Sequence, residues 1–358
     1  MLYALFYGIF VSMKKKIMII KKNTVIILLL SFLLFMFSGC RKNSTPVTKT
    51  GIYFDTVISI TIYDSGKEDI LDKCFAEADR YDKLFSKTIP GSDVYRINES
   101  YNEWVKISPE TMTLITESLS IEDFTEGRFS VMCGALTDLW DIAGRSTPPT
   151  DDEINAAMLL CGNKTLDIDE SSRSVRINTK GAKLDLGAVA KGYIADKLGT
   201  FLEGQGISSG VIQLGGNVLV IGSNPTRPDG SYNIGITEPF SENGGVITAV
   251  SINNGSVVTS GNYQRYFTYK DKIYHHIIDL TTGYPAENNL SSVSVIVSES
   301  LKADQLSTAF FLLGTNASVR KYEEIYDVEA SDSPCGFNII LINDKNEIVY
   351  DSYKEHSK

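Results

Sequence analysis

The sequence predicts an α+β fold: mainly antiparallel sheets with flanking helices. Three observations carry that expectation. Segments with helical apolar spacing mix with hairpins, without the regular strand–helix–strand rhythm of a parallel sheet. The stretch from 233 to 297 is strand-like almost throughout and is punctuated by glycine. The 358 residues, 43% hydrophobic and 22% charged, have globular composition and enough length to bury a sizeable core.

Taken in order, residues 14–16 and 21–22 are all lysine, and Val25 to Phe37 is almost unbroken hydrocarbon ending at Ser38, Gly39 and Cys40. A basic flank, an apolar run of this length and small residues at its end predict a secretory signal peptide over residues 1–39. The run is short for a membrane span of ~20 residues. An uncleaved anchor or a plain signal peptide is the alternative reading. A second methionine, Met13, precedes the basic flank, which leaves the start open between Met1 and Met13. Residues 41–50 are polar without an apolar period and read as a tether.

Ile52 to Tyr63 alternates as a strand, and Asp69 to Phe85 carries Ile70, Leu71, Cys74, Phe75, Ala78, Tyr81 and Phe85 at helical spacing. Ser108 followed by Pro109 opens a helix running towards Thr125. Thr150 with Glu153 is a capping box before a short helix that stops at Gly162. Leu166–Ile168 and Val175–Ile177 read as a hairpin. Asp185 is expected to cap a helix ending at Gly204, and strands Val211–Leu214 and Val218–Ile221 flank a turn at 215–217. Residues 222–230 read as a loop. The last helix is expected over Ala303–Leu313, before a closing hairpin of Phe337–Ile342 and Glu347–Tyr350; residues 351–358 read as a tail.

Charge and cysteine usage exclude some functions. The chain carries 34 Lys+Arg against 44 Asp+Glu, a formal −10, which argues against binding nucleic acid. Loss of residues 1–39 would remove five Lys and no acid, leaving 29 bases against 44 acids, a formal −15. Such a surface gains nothing from anionic lipid, so any membrane link would be a lipid on Cys40. Three His and five Cys show no C-x-x-C or H-x-x-x-H spacing, which argues against zinc and against a disulfide framework.

Three segments could carry chemistry. Asp304, Ser307 and Thr308 share a helix face, and oxygen ligands without His or Cys suit Mg²⁺ or Ca²⁺. Taken alone, the segment is better explained by plain N-capping, since Asp at a helix start stabilises it with no metal. Leu184 to Gly192 offers a carboxylate at a helix start, small residues and Lys191, but forms neither a Walker A nor a GxGxxG loop. In Tyr274–Pro285, His275 and His276 would face opposite ways on a strand, so at most one points at a site. The absence of a nucleophile elbow leaves a hydrolase triad unsupported.

Together these segments resemble a known family. The series Asp185-Leu-Gly-Ala-Val-Ala-Lys-Gly-Tyr193, Gln213-Leu-Gly-Gly-Asn217, Thr259-Ser-Gly-Asn-Tyr-Gln-Arg-Tyr-Phe267, His275-His-Ile-Ile-Asp279, Thr282-Gly-Tyr-Pro285 and Ala303-Asp-Gln-Leu-Ser-Thr-Ala309 resembles the ApbE family. Phe54-Asp-Thr56, Phe85-Ser-Lys87 with Ser92 and Arg96-Ile-Asn98, and Gly127-Arg-Phe129 with Leu139-Trp140 extend the match, which spans roughly residues 52–350.

That resemblance implies an ApbE-like (T-fold-related) architecture, a catalytic domain over 51–350, and FAD:protein FMN transferase activity. FMN would pass from FAD to a Thr or Ser hydroxyl of exported redox proteins, releasing AMP. It implies Mg²⁺ held by Asp304, Thr308 and the Ala188 carbonyl, with Ser307 in the same shell. It implies FAD contacts from Phe54, Thr88, Arg128, Phe129, Ser130, Asp185, Lys191 and Ile278, and an acid/base or orienting role for His276. Cys40 resembles a lipoprotein processing site, which would place the protein on the outer face of the bacterial cytoplasmic membrane. The sequence departs from the family pattern in four places: Ser130 stands for an Asp, Phe54 for a Met, Asp55 for a Gly and Leu280 for a Pro. Two alternatives stay open: Mg²⁺-dependent hydrolysis of FAD to FMN and AMP, and a non-catalytic flavin-binding lipoprotein.

Overall fold

The computed structural model describes residues 45–331, 333 and 335–356. The expected signal peptide, Cys40 and residues 41–44 of the tether lie outside the described residues. Among those described, no helix is long and apolar enough to cross a membrane.

Strand β1 (Val47–Tyr53) pairs antiparallel with β2 (Thr56–Ile62), so the single strand expected over 52–63 is a hairpin. Residues 47–50, expected as tether, belong to its first strand. The turn is Phe54-Asp55, both at φ 55°, in the left-handed pair a two-residue hairpin requires. Neither residue is the Asn or Gly that normally announces such a turn, which is why the sequence reads as one strand.

Helices α1 (Asp69–Phe85) and α2 (Asp93–Glu99) follow, then β3 (Val105–Lys106) and α3 (Pro109–Phe124), whose Ser108 accepts from the Thr111 amide as the sequence predicts. Next come α4 (Gly134–Trp140) and α5 (Asp151–Met158), the latter with the expected capping box at Thr150 and Glu153. Strands β4 (Leu166–Asp169) and β5 (Ser174–Ile177) form the expected hairpin, with β3 added on the β5 side.

Helix α6 (Ala190–Gly204) starts later than expected. Its N-cap position is Val189, not Asp185. Strands β6 (Ser209–Leu214) and β7 (Asn217–Gly222) pair across the Gly215-Gly216 turn. The long strand-rich stretch resolves into β8 (Tyr232–Thr237), β9 (Val246–Ile252), β10 (Gly255–Gly261), β11 (Tyr266–Tyr269), β12 (Lys272–His275), β13 (Ile278–Asp279), β14 (Tyr284–Pro285) and β15 (Leu290–Val297).

Helix α7 (Ser300–Ser331) begins three residues before the expected Ala303 and breaks at Gly314 (φ 72°, ψ 171°), one residue past the expected end. A second helical segment continues to Ser331. Strands β16 (Asn338–Asn343) and β17 (Ile348–Asp351) close the sheet. The expected tail is a short helix, α8 (Ser352–His356), whose Ser352 is buried.

The main sheet runs β1-β2-β6-β7-β10-β15-β16-β17, antiparallel at every pairing and open at its edges. Successive residues serve two cores. Val293, Val295, Val297, Ile339 and Leu341 pack beneath the helices, while Ile296, Ile340 and Ile342 pack against the β8–β9 ribbon. Cover on both faces explains why all eight residues of β15 are buried, Ser291, Ser292 and Ser294 included. The four described cysteines, Cys74, Cys133, Cys161 and Cys335, are free thiols.

Candidate active site

A cleft of ≈ 980 Å³ opens where the β1–β2 turn, the end of α1, the start of α6, the β6–β7 turn, β8, β10, the His276 segment and α7 converge. That volume lies at the upper end for small-molecule sites, ~300–1,000 Å³. Its lining includes Phe54, Thr88, Phe129, Ser130, Asp185, Ala188, Lys191, His276, Ile278, Asp304 and Thr308, although these are spread over 250 residues of sequence or more.

Two helix starts meet at one corner. Asp304, 4% exposed, sits in the second turn of α7, and its Oδ2 accepts the Gly192 N–H at 2.9 Å. Because α7 begins at Ser300, Asp304 does not cap its own helix; its carboxylate serves the first turn of α6 instead. The diversion has a consequence for Ala188. In a regular helix the Gly192 amide would donate to the carbonyl four residues back. With that amide turned to Asp304, no group among the described residues donates to the Ala188 carbonyl.

Burial pushes the Asp304 carboxyl up, opposed by the charge of Lys191 and the Gly192 amide. A buried carboxylate with a single amide partner, an undonated carbonyl nearby in the chain fold and the Thr308 hydroxyl all border one cleft. This oxygen-only donor set fits a hard divalent cation. Among the described residues, no cluster of three His, Cys, Asp or Glu forms a metal site, so any ion there relies on carbonyl and hydroxyl oxygens. Ser307 sits behind this corner rather than in the cleft. It is fully buried, donating to the Asp304 carbonyl at 3.1 Å and sharing a 2.8 Å hydrogen bond with Ser260. Ser260 in turn lies 3.1 Å from the Thr308 hydroxyl, which holds Thr308 in place.

The cleft lining carries more acidic than basic side chains. Asp55, Asp82, Asp141, Asp185 and Asp304 line it against Lys87, Lys191 and Arg265. Asp185 is already compensated. Its Oδ2 accepts from Lys87 Nζ at 2.7 Å and Thr137 at 2.6 Å, and its Oδ1 from the Gly187 amide at 2.9 Å. Burial would raise its pKa, but Lys87 and these donors outweigh burial and hold it below the ordinary value. Lys87 also contacts Asp138 at 2.8 Å. The sequence singled out Asp185 without this partner, although Lys87 stands inside the Phe85-Ser-Lys motif.

The two histidines part as the strand rule requires. His275 is a satisfied core residue: Nδ1 accepts from the Ile277 amide at 3.3 Å and Nε2 donates to the Ala286 carbonyl at 3.1 Å. Burial holds it neutral, down to about 4. His276 lies on the cleft wall, its Nδ1 3.3 Å from the Arg265 carbonyl. A carbonyl only accepts, so Nδ1 carries the proton and Nε2 keeps a lone pair. Burial, with the Arg265 carbonyl opposing it and the charges of Lys191 and Arg265 adding to it, pushes His276 down to about 3.

Arg128 does not line the cleft. It pairs with the buried Asp279 and accepts the Leu280 amide on its carbonyl, fastening the Phe129–Ser130 segment to the β13–β14 ribbon. Ser130, buried, donates to Asn163 and receives the Met132 amide, so it is a turn anchor. Cys133 also borders the cleft, but burial holds its thiol well above the ordinary range, leaving it inert as a nucleophile.

A model of the ApbE family matches residues 54–331. This chain belongs to the ApbE family. An FAD:protein FMN transferase of Klebsiella pneumoniae is 34% identical over 282 residues, covering 77% of this chain and 86% of that protein. One from Treponema pallidum is 32% identical over 238 residues, 63% of this chain and 66% of that protein. The crystal structure of the ApbE protein from Thermotoga maritima superposes with a TM-score of 0.77 at 28% identity, covering 87% of this chain and 99% of that one. The flavin transferase ApbE of Vibrio cholerae, at 24% identity and a TM-score of 0.73, shares the fold. The cleft of this ApbE family member thus gathers segments that the family model spans from one end to the other.

Proposed function

We propose that the protein is a Mg²⁺-dependent FAD:protein FMN transferase that modifies a Thr or Ser hydroxyl of an exported redox protein. The observation that carries this reading is the meeting of Asp304, Thr308 and the undonated Ala188 carbonyl with His276 in one cleft. Family membership and the names of the relatives agree with it.

The step is a substitution at the phosphorus of the FMN half. A P–O bond forms to the acceptor hydroxyl oxygen, and the bond to the bridging oxygen breaks with AMP as leaving group. Little covalent help is needed; positioning and charge neutralisation dominate. Bound Mg²⁺ would supply neutralising charge on the pyrophosphate. Asp304, Thr308 and the Ala188 carbonyl would hold it, and the Ser260–Ser307 hydroxyls fix Thr308 and the helix turn behind it. His276 takes the hydroxyl proton on Nε2. Its low basicity suits the neutral form, and the negative charge of a bound dinucleotide would shift it back towards the range for proton transfer. Lys191 and Arg265 meet anionic oxygens, and Phe54, held at the turn, offers a ring to an aromatic heterocycle. Cys40 lipidation would keep the enzyme at the outer face of the cytoplasmic membrane beside exported acceptors.

The test is incubation with FAD, Mg²⁺ and a Thr-bearing acceptor, followed by intact mass of the acceptor. The expected gain is one FMN unit, lost in Asp304→Ala while the far-ultraviolet circular dichroism persists. Free FMN and AMP formed equally fast without acceptor would assign the protein to FAD hydrolysis instead. FAD binding with neither product would leave a binding protein.

A further inference from the structure

Asp196 lies outside the cleft lining, in the second turn of α6, yet its carboxylate spans to α7. Its Oδ1 accepts the Ser300 N–H and its Oδ2 the Leu301 N–H, each at 2.8 Å. In the opposite direction, Asp304 of α7 accepts the Gly192 N–H of α6 at 2.9 Å. Each helix therefore has at least one first-turn amide satisfied by a carboxylate from the second turn of the other: Gly192 in α6, and Ser300 and Leu301 in α7. A carboxylate at a helix N-terminus is favoured by hydrogen bonding and by the aligned backbone dipoles together.

The approach is close. A Cβ on Gly192 would stand 2.5 Å from the Ser300 carbonyl oxygen and 2.8 Å from Asp304 Cβ. Two contacts running in opposite directions fix both the separation of the helix starts and their register. Asp304 and the Ala188 carbonyl are on different helix starts, so their spacing is what this lock sets. Ser300 adds a tie to the sheet through its 2.6 Å hydrogen bond to Asn217.

We propose that Asp196 is a positioning residue for the cation site: by capping α7 it holds Asp304 at one spacing from the Ala188 carbonyl. This rests on the reading that Asp304, Thr308 and Ala188 bind a divalent ion. Asp196 touches neither cation nor FAD in this account. Supporting groups behind metal ligands commonly change affinity by about 10–100-fold when removed.

The experiment uses the full-length protein in mild detergent and its Asp196→Ala, Asp196→Asn and Asp304→Ala variants. Mn²⁺ binding is followed by the electron paramagnetic resonance of free Mn²⁺, and FAD binding without divalent ion by flavin fluorescence. Asp196→Ala should weaken Mn²⁺ by about tenfold or more, as for lost supporting groups. Asp196→Asn, which keeps one acceptor oxygen for two amides, should fall between Ala and wild type. FAD affinity without metal should be unchanged in both. Measurements at 4 °C keep the variants folded, checked by circular dichroism. Wild-type Mn²⁺ affinity in folded Asp196 variants, with binding lost in Asp304→Ala, overturns the positioning role and leaves the site intact. Lower melting temperatures with unaltered Mn²⁺ affinity overturn it likewise, assigning Asp196 to stability alone. Absence of Mn²⁺ binding to wild type, or binding that survives Asp304→Ala, overturns the cation site itself and this inference with it.

Discussion

Gly192→Ala should damage stability and cation response together. The new methyl would stand 2.5 Å from the Ser300 carbonyl oxygen, 2.7 Å from Leu301 Cα and 2.8 Å from Asp304 Cβ. None is the free end of a flexible side chain, so α7 must move away from α6 or the methyl must strain both. Overpacking of this kind costs about 1–3 kcal/mol. Weakening the Gly192–Asp304 bond, a hydrogen bond to a charged group, adds about 1.5–3 kcal/mol. Alanine returns about 1 kcal/mol of helix propensity. The net expectation is about 2–4 kcal/mol of lost stability, or a melting point lower by roughly 3–6 °C for a domain of this size. The Mg²⁺ needed for half-maximal flavinylation should rise in the same variant. Gly204→Ala is the control: it lies at the other end of α6, with nothing within 4 Å of the added methyl. It should stabilise by about 0.5–1 kcal/mol through propensity and a stiffer unfolded chain. Thermal melts and Mg²⁺ titrations of both variants decide the matter. A Gly192→Ala protein with wild-type melting point and Mg²⁺ response would refute the close contact of the two helix starts.

Two further outcomes follow from the charged groups. Lys87→Met strips Asp185 of its cation while leaving the carboxylate, 16% exposed, in the cleft wall. Because Lys87 itself keeps 30% of its side chain exposed, the loss should sit near the low end for broken buried pairs, about 3 kcal/mol by urea denaturation at neutral pH. An unchanged midpoint would show that Thr137 and Gly187 suffice. For His275, burial depresses the folded-state value to about 4, below the ordinary 6.5. The unfolded chain therefore takes up the proton first as pH falls, so this contribution is complete above 6.5 and is lost towards 4. From pH 8 to pH 5 the loss is about 2 kcal/mol. His275→Gln should lose that much less over the same interval; parallel pH–stability curves for variant and wild type would contradict the assignment.

Much of the fold was legible because the relevant physics is local. The N-cap at Ser108, the capping box at Thr150, the 3.6-residue period of α1 and the Gly215-Gly216 turn are signals within a few residues, and the structure places each as expected. The errors share a different origin. Phe54-Asp55 makes a turn that normally calls for Asn or Gly, so an apolar alternating run concealed a hairpin. Lys49 and Thr50, polar and outside any apolar period, joined a strand because the neighbouring strand supplies backbone partners. Composition reports side chains, and this ladder is made by main chain.

The cleft residues show the same division more sharply. The segments around Asp185 and Asp304 each resembled a helix start, and plain capping explained either one taken singly. The structure keeps the capping and changes its direction: Val189, at the start of α6, has no side chain able to cap, and the group that serves Gly192 comes from 112 positions away. No local rule detects a cap delivered over that distance. The sign it leaves in sequence is indirect. A helix beginning without its own Ser, Thr, Asp or Asn, but with glycine in its first turn, marks a place where another element must come close enough to supply the missing acceptor. By that reasoning Gly192 and Asp304 form one feature split between two segments. The amide that Asp304 captures is the one that would otherwise have closed off the Ala188 carbonyl, so a contact that holds the fold together also opens the site to a ligand.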